Sequence, residues 1–256
     1  MKWPNIDMWQ PLFASLALVN CTAADVPEIY HGRVEQTVLA VPSAIATSVL
    51  YDGESDWTPP DKPRSERTDR DAIRMIEFYV DLDQPGHVLT DQAARERLAA
   101  HSGTLHLPAI FGHVLGISID FSPGRQSSAK AIRSQFGRPD FGPAFRALNP
   151  TSPEYGLATR RADWSKPVKG RELHGNSIFD VDVDYLSETE NTYIYCNDSR
   201  QSVAPFASMP TCQFMIIIPK LGGVIRGTID RGDVPRWREL RAAALATFYS
   251  FVVVSH

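Results

Sequence analysis

Apolar residues along this chain follow two rhythms. Ile76, Phe78, Val80 and Leu82 alternate with Glu77, Tyr79 and Asp81, the period of two expected of a strand with one buried face. Leu115, Ile117, Ile119 and Phe121 alternate in the same way with Gly116, Ser118 and Asp120. The run from Met215 to Ile218 is apolar at every position, as in a central strand of a sheet covered on both faces. It sits in CQFMIIIP, and GGVIRGTID is expected to return beside it, antiparallel, through Lys220 to Gly223. GRVEQTVLAV and AIATSVLY read as two strands separated by a Pro42-Ser43 turn, and IFDVDVDYL and TYIYC as two more.

The second rhythm is helical. TDQAARERLAAHSG predicts a short helix that Thr90 caps at its start and Gly103 at its end. SSAKAIRSQFG places Ala129, Ile132 and Phe136 on one stripe and stops at Gly137. The last helix is the strongest. Asp233 is placed to cap it, and Pro235 falls in the first turn, where its missing N–H costs nothing. Trp237, Leu240, Ala244, Phe248 and Phe251 step by three or four, while Arg236, Arg238, Glu239 and Arg241 lie mostly off that stripe.

Two stretches lack either rhythm. Residues 53–71, GESDWTPPDKPRSERTDRD, read as a long exposed loop. Residues 138–176 are irregular and carry Pro139, Pro143, Pro150, Pro153 and Pro167. Strands and helices come in clusters rather than in strict alternation. The expectation is an α+β fold: a mostly antiparallel sheet covered by helices, with an amphipathic C-terminal helix, forming one domain over residues 25–256.

Composition narrows the function classes. With 43% hydrophobic and 22% charged residues, the chain has the makings of a packed core. A net charge of −4 gives no electrostatic reason to expect nucleic acid as a partner. No internal apolar run approaches the roughly 20 residues that span a bilayer. The first residues form their own unit. Lys2, the apolar stretch Leu12 to Val19 and Thr22-Ala23-Ala24 fit a secretory leader over residues 1–24, cleaved ahead of Asp25. In a variant of this reading LVNC is a lipoprotein box, the leader ends before Cys21, and Cys21 carries a lipid anchor. Either version places the protein in the periplasm or outside the cell, the second at the outer membrane.

Loss of a leader through Ala24 leaves Cys196 and Cys212 as the remaining cysteines. In an oxidising compartment such a pair is most simply a disulfide, worth on the order of 3 kcal/mol through the unfolded chain. Their spacing excludes a C-x-x-C redox couple, and a zinc clip would need two more ligands where His174 alone is not enough.

Other constellations have plainer explanations. Asp180, Asp182 and Asp184 in DVDVD open like a calcium loop, but Tyr185 and Asn191 stand where Gly and Glu are required. Phe179, Val181, Val183 and Tyr185 suit a buried strand face, which leaves the three aspartates to solvent as an acidic stripe for a basic partner. Ser127 and Lys130 match S-x-x-K, in which the lysine activates a serine nucleophile, without the companion motifs. His87, His101, His106, His113 and His174 lack metal-site spacing. P-loop, G-x-G-x-x-G and G-x-S-x-G are missing too. No catalytic residue, metal or cofactor is therefore expected. Tyr30, Trp57, Tyr155 and Trp164 are candidates for a binding face, with core or loop packing as the alternative.

HGRVEQTVLAVP (His31 to Pro42) resembles the Gly-Arg strand ending in Val-Pro near the mature start of periplasmic immunity proteins encoded beside type VI secretion effectors. YIYCNDSRQSVAPFASMPTCQF is similar to their Cys…Pro-x-Cys segment, and DVPRWRELRAAALATFYSF to the Trp-bearing helix that follows it. IRMIEFYVDLDQPG resembles a middle strand of related proteins. The resemblance implies a non-enzymatic periplasmic protein that binds a secreted toxin and blocks it. The competing readings are an envelope hydrolase built on Ser127 and Lys130 or on an unrecognised histidine site, and a structural envelope protein.

Overall fold

The computed structural model describes residues 28–54, 63, 66–81, 83–84, 88–102, 114–121, 128–135, 148–163, 165, 181–197 and 211–253. Twelve strands appear among them. β1 (Ile29–Val34) and β2 (Thr37–Pro42) form a hairpin; β3 (Ala46–Tyr51), β4 (Ile73–Asp81), β5 (Val88–Leu89) and β6 (Val114–Asp120) follow. Then come β7 (Leu148–Pro150), β8 (Ala158–Ala162), β9 (Val181–Ser187), β10 (Thr192–Asn197), β11 (Thr211–Ile218) and β12 (Gly223–Asp230). The helices are α1 (Asp91–Ser102), α2 (Ala129–Gln135) and α3 (Trp237–Ser250).

Ten strands make one sheet in the order β3-β4-β6-β12-β11-β10-β9-β8-β7, with β5 added beside β4. Every pairing in it is antiparallel. The β11–β12 hairpin closes at Ile218↔Gly223, where the alternation and the Lys220–Gly223 turn place it, and Gly222 takes φ +61° in that turn. Met215, Ile216, Ile217 and Ile218 are all buried.

One face carries the main core. Ile76, Phe78 and Val80 of β4, Leu115, Ile117 and Ile119 of β6, and Phe214 and Ile216 of β11 meet Trp237, Leu240, Ala244, Phe248 and Phe251 of the C-terminal segment. Phe78 and Phe251 pack edge to face with centroids 5.6 Å apart, a favoured aromatic geometry. Tight approach is built in at Gly227, where a Cβ would sit 2.8 Å from Leu115 Cδ1 and 3.1 Å from the Gly116 carbonyl oxygen. The β1–β2 hairpin covers the same face through Leu39 and Val41. Both its edges are tied. On β1, Arg33 N–H donates to the Asp71 carbonyl at 2.8 Å; on β2, Ala40 N–H donates to the Phe251 carbonyl at 2.8 Å and Val253 N–H to Val38 at 3.0 Å.

The other face is covered unevenly. Ala129 and Ile132 of α2 pack on Leu186, Tyr193, Met215, Ile217 and Val224, and α1 adds Ala94 to Leu89 and Val114 at the β5 end. Over β4, β6 and β12 between them, no helix lies among the described residues. The expected sheet covered by helices is thus corrected. Sheet dominates, one helix covers one face, and two short helices cover parts of the other.

Four local expectations change. GRVEQTVLAV is a hairpin rather than one strand, because the chain reverses at Glu35, which takes φ +52°. Asp233 does not cap α3. A 3-10 segment, Arg231–Arg236, contains it and Pro235, and the α-helix begins at Trp237 without a side-chain cap. The irregular stretch contains β7 and β8, whose polar sequence hides their pairing to β9. The loop expected to be exposed over 53–71 begins and ends inside. Glu54 and Arg67 are buried and ion-paired, Arg67 stacks 4.5 Å over the Tyr51 ring, and Glu54 accepts the Tyr51 N–H at 2.9 Å.

Candidate functional site

Cys196 and Cys212 face each other in the β10–β11 ladder and are joined as a disulfide. Both are fully buried in the main core beneath α3. The bond fastens two central strands to one another and is sealed from solutes, so its place is architectural.

The acidic stripe is not a solvated face. Asp184 is 0% exposed and sits under α2, where the sheet's second face is covered. Arg133 of α2 donates Nη2 to Asp184 Oδ1 at 2.8 Å. Arg160 of β8 donates Nε to both carboxylate oxygens at 3.1 Å and pairs with it through Nη2 as well. The Tyr193 hydroxyl donates to Oδ2 at 3.2 Å. Burial pushes the Tyr193 phenol well above its ordinary range, and the Asp184 charge adds to that, with Arg160 pulling the other way. A buried carboxylate is tolerated only when paired and hydrogen-bonded in this way. Asp182 is held by Arg231 at 2.8 Å, and Asp180 lies outside the described residues. The expectation failed because strand alternation reports which side of the sheet a residue takes, not whether a helix covers that side.

Of the serine–lysine pair, Lys130 falls among the described residues. It stands on the exposed side of α2, 3.2 Å from Glu188, and Ser128 caps the helix by accepting the Ala131 N–H at 3.2 Å. Ser127, His87, His106, His113, His174, Trp57, Trp164, Cys21 and the leader lie outside the described residues, as does the His101 side chain. Among the described residues, no group of three or more His, Cys, Asp or Glu is placed to hold a metal, and no helix is long and apolar enough to cross a membrane.

Of the aromatic candidates, Tyr30 is core. Tyr155 is 47% exposed on a tight turn where it and Gly156 take φ +54° and +75°. The turn is held from below: Trp237 Nε1 donates to the Tyr155 carbonyl at 3.0 Å, and Arg238 stacks 4.4 Å over the Trp237 ring.

The part of the second sheet face that carries no helix among the described residues holds an open pocket of about 260 Å³ lined by Thr47, Glu77, Tyr79, Ser118, Gln213, Arg226 and Thr228 among others. Its shape follows from register. Glu77 pairs across to Ser118, Ser118 to Arg226, and Gln213 to Thr228, so long side chains stand beside short ones across the strands. Gly116 lies opposite Tyr79 with no side chain to fill the space, and the Tyr79 ring leans over it, 3.4 Å from where a Cβ would be. Gln213 donates to the Thr228 hydroxyl at 2.8 Å. The Nε of Arg226 is shut off from solvent and has no hydrogen-bond partner. Burial raises the pKa of neighbouring Tyr195, and the Arg226 charge works against that rise. A sequence signal for this site was available in Arg226, a charge inside the apolar strand GGVIRGTID.

Neither a family model nor a curated protein matches the chain. The fold does have a counterpart. The chain is similar to Smlt3025, an immunity protein of the Stenotrophomonas maltophilia type IV secretion system, with a TM-score of 0.51 over 89% of this chain and 94% of that one at 12% identity. At that identity the likeness is one of fold.

Proposed function

We propose that this protein binds a toxin or effector protein and neutralises it by covering the surface the toxin needs, in the manner of an immunity protein. The observation that carries the reading is the fold shared with a secretion-system immunity protein along nearly the whole length of both chains. The sequence resemblances at His31–Pro42, Tyr193–Phe214 and Asp233–Phe251 lead to the same class of protein by a separate route. The two routes agree on an immunity role and differ on the system. The sequence resemblance is to proteins beside type VI effectors, the fold neighbour serves a type IV system, and the narrower type VI assignment rests on the resemblance alone.

A blocking protein needs a rigid, complementary surface rather than catalytic groups. A ten-stranded antiparallel sheet with a buried cross-strand disulfide suits that demand. The disulfide is also compatible with residence outside the cytoplasm, in keeping with the reading of residues 1–24 as a leader and of Cys21 as either removed or lipidated.

Co-expression with the product of the adjacent gene, followed by affinity capture, tests the function. A one-to-one complex and relief of that product's toxicity are expected. Toxicity unchanged by co-expression, with nothing captured, would overturn the reading. Intact-mass measurement of the envelope fraction separates a chain starting at Asp25 from one lipidated at Cys21.

A further inference from the structure

Among the described residues, many arginines are paired with acids. Arg67 has Glu54, Arg97 has Asp81, Arg133 and Arg160 share Asp184, Arg161 has Glu154, and Arg231 has Asp182. Arg226 is not in one of these pairs, and unlike Arg67, whose Nε is also enclosed without a partner but whose Nη2 meets Glu54, it borders a pocket. It projects from β12 onto the part of the sheet that no helix covers among the described residues, its Nε is enclosed without an acceptor, and the residues around it line an open pocket. An enclosed, unsatisfied guanidinium nitrogen is a cost to the folded state. Filling the site with an apolar side chain of similar length would remove that cost.

From this we infer that the pocket is a receptor for a carboxylate, presented by an aspartate or glutamate side chain on the protein partner. The identification of the partner rests on the reading under Proposed function; the carboxylate chemistry rests on the pocket itself. A planar guanidinium offers two parallel N–H groups that match the two oxygens of a carboxylate. The hydroxyl of Thr228 already accepts from Gln213, which leaves its own proton to give, and Ser118 beside Arg226 carries a second hydroxyl. Glu77 faces the same space from β4, so an incoming carboxylate is favoured on the Arg226 side and opposed on the other. That asymmetry fixes the position of the guest. A volume of about 260 Å³ accommodates an acidic side chain and falls below the usual range for drug-sized ligands.

The test uses the full chain and a defined probe. Arginine Nε–H signals of ¹⁵N-labelled protein are followed while N-acetylglutamate α-amide is added at constant ionic strength, with the glutamine analogue as control. One arginine signal should shift and saturate, with dissociation on the order of millimolar, as befits a single exposed ion pair. The glutamine analogue should move nothing, and neither Arg226→Met nor Arg226→Lys should show that signal. Arg226→Met should also melt at or above the temperature of the unaltered protein. No saturable shift, an equal response to the glutamine analogue, or a clearly lower melting temperature for Arg226→Met would each overturn the pocket assignment. With a captured partner in hand, Arg226→Met should weaken the complex at least tenfold. An unchanged complex alongside a responding pocket would remove the partner from the proposal and leave a site for a free carboxylate. Failure to capture any partner would count against the immunity reading, while the probe titration would still decide the pocket.

Discussion

Arg160 grips Asp184 from the neighbouring strand, its Nε 3.1 Å from each carboxylate oxygen. Arg133 reaches the same carboxylate from α2 at 2.8 Å. A seven-residue helix is too short to hold itself together in water. Its place on the sheet depends on Ala129 and Ile132 below and on this charged clasp beside them.

Asp184→Asn should therefore be severely destabilising. Two arginines would lose their counter-charge inside the protein, a change that typically costs about 3–5 kcal/mol. Urea unfolding should show a lower midpoint with an unchanged slope. An Asp182→Asn variant weakens a partly buried pair with Arg231 and should lower the midpoint less than Asp184→Asn does.

Opening the disulfide should lower stability by about 2–4 kcal/mol, chiefly by freeing the unfolded chain. The comparison is the paired replacement Cys196→Ala and Cys212→Ala against the oxidised protein in denaturant. Because both sulfurs are buried, native protein should resist mild reductant, and its thiols should become alkylatable only once it unfolds.

Acid sensitivity should trace partly to Asp81. Burial pushes its carboxyl upward, but the hydrogen bond and charge of Arg97 and the N–H groups of Asp83 and Gln84 outweigh that and hold it below its ordinary value. A carboxyl depressed on folding contributes stability above its unfolded pKa of about 3.9 and loses that contribution as pH falls through the lower folded value. Asp81→Asn should thus be less stable than the parent near neutrality. The gap should narrow below about pH 4, as read from thermal melts across the range.

Gly227→Ala tests the tightness of the central sheet. The added methyl would meet Leu115 and a backbone carbonyl inside contact distance, and overpacking of that kind costs about 1–3 kcal/mol. Gly53→Ala, where nothing lies within 4 Å of an added Cβ but φ is +85°, should cost about 1–2 kcal/mol through the backbone alone. Chemical denaturation of both variants measures each cost.

The strands with clean alternation were legible because one face of each meets the main core. Ile76, Phe78, Leu115 and Ile119 had no other place to go, and the five-residue stripe from Trp237 to Phe251 fixed the helix that covers them. What stayed hidden depended on partners distant in sequence. The charge of Asp184 reads as solvent-facing until Arg133 and Arg160, 51 and 24 residues away, are known to converge on it. β8 is polar because it lies near the sheet's edge, with arginines that pair with acids rather than with a core. The Arg226 pocket was hidden for a related reason: it arises from what five strands leave empty between them, and no single strand records that.

The hairpin at the start of the fold has its outer edge completed by residues 251–253, the last ones described. That links the fate of the first strands to a segment far along the chain. Until Phe251 and Val253 arrive, β2 presents open amide and carbonyl groups, an invitation to mispairing. The contacts that relieve it span more than two hundred residues, a separation that slows folding. The opening hairpin is therefore a lock that closes late, when the segment after α3 docks along β2.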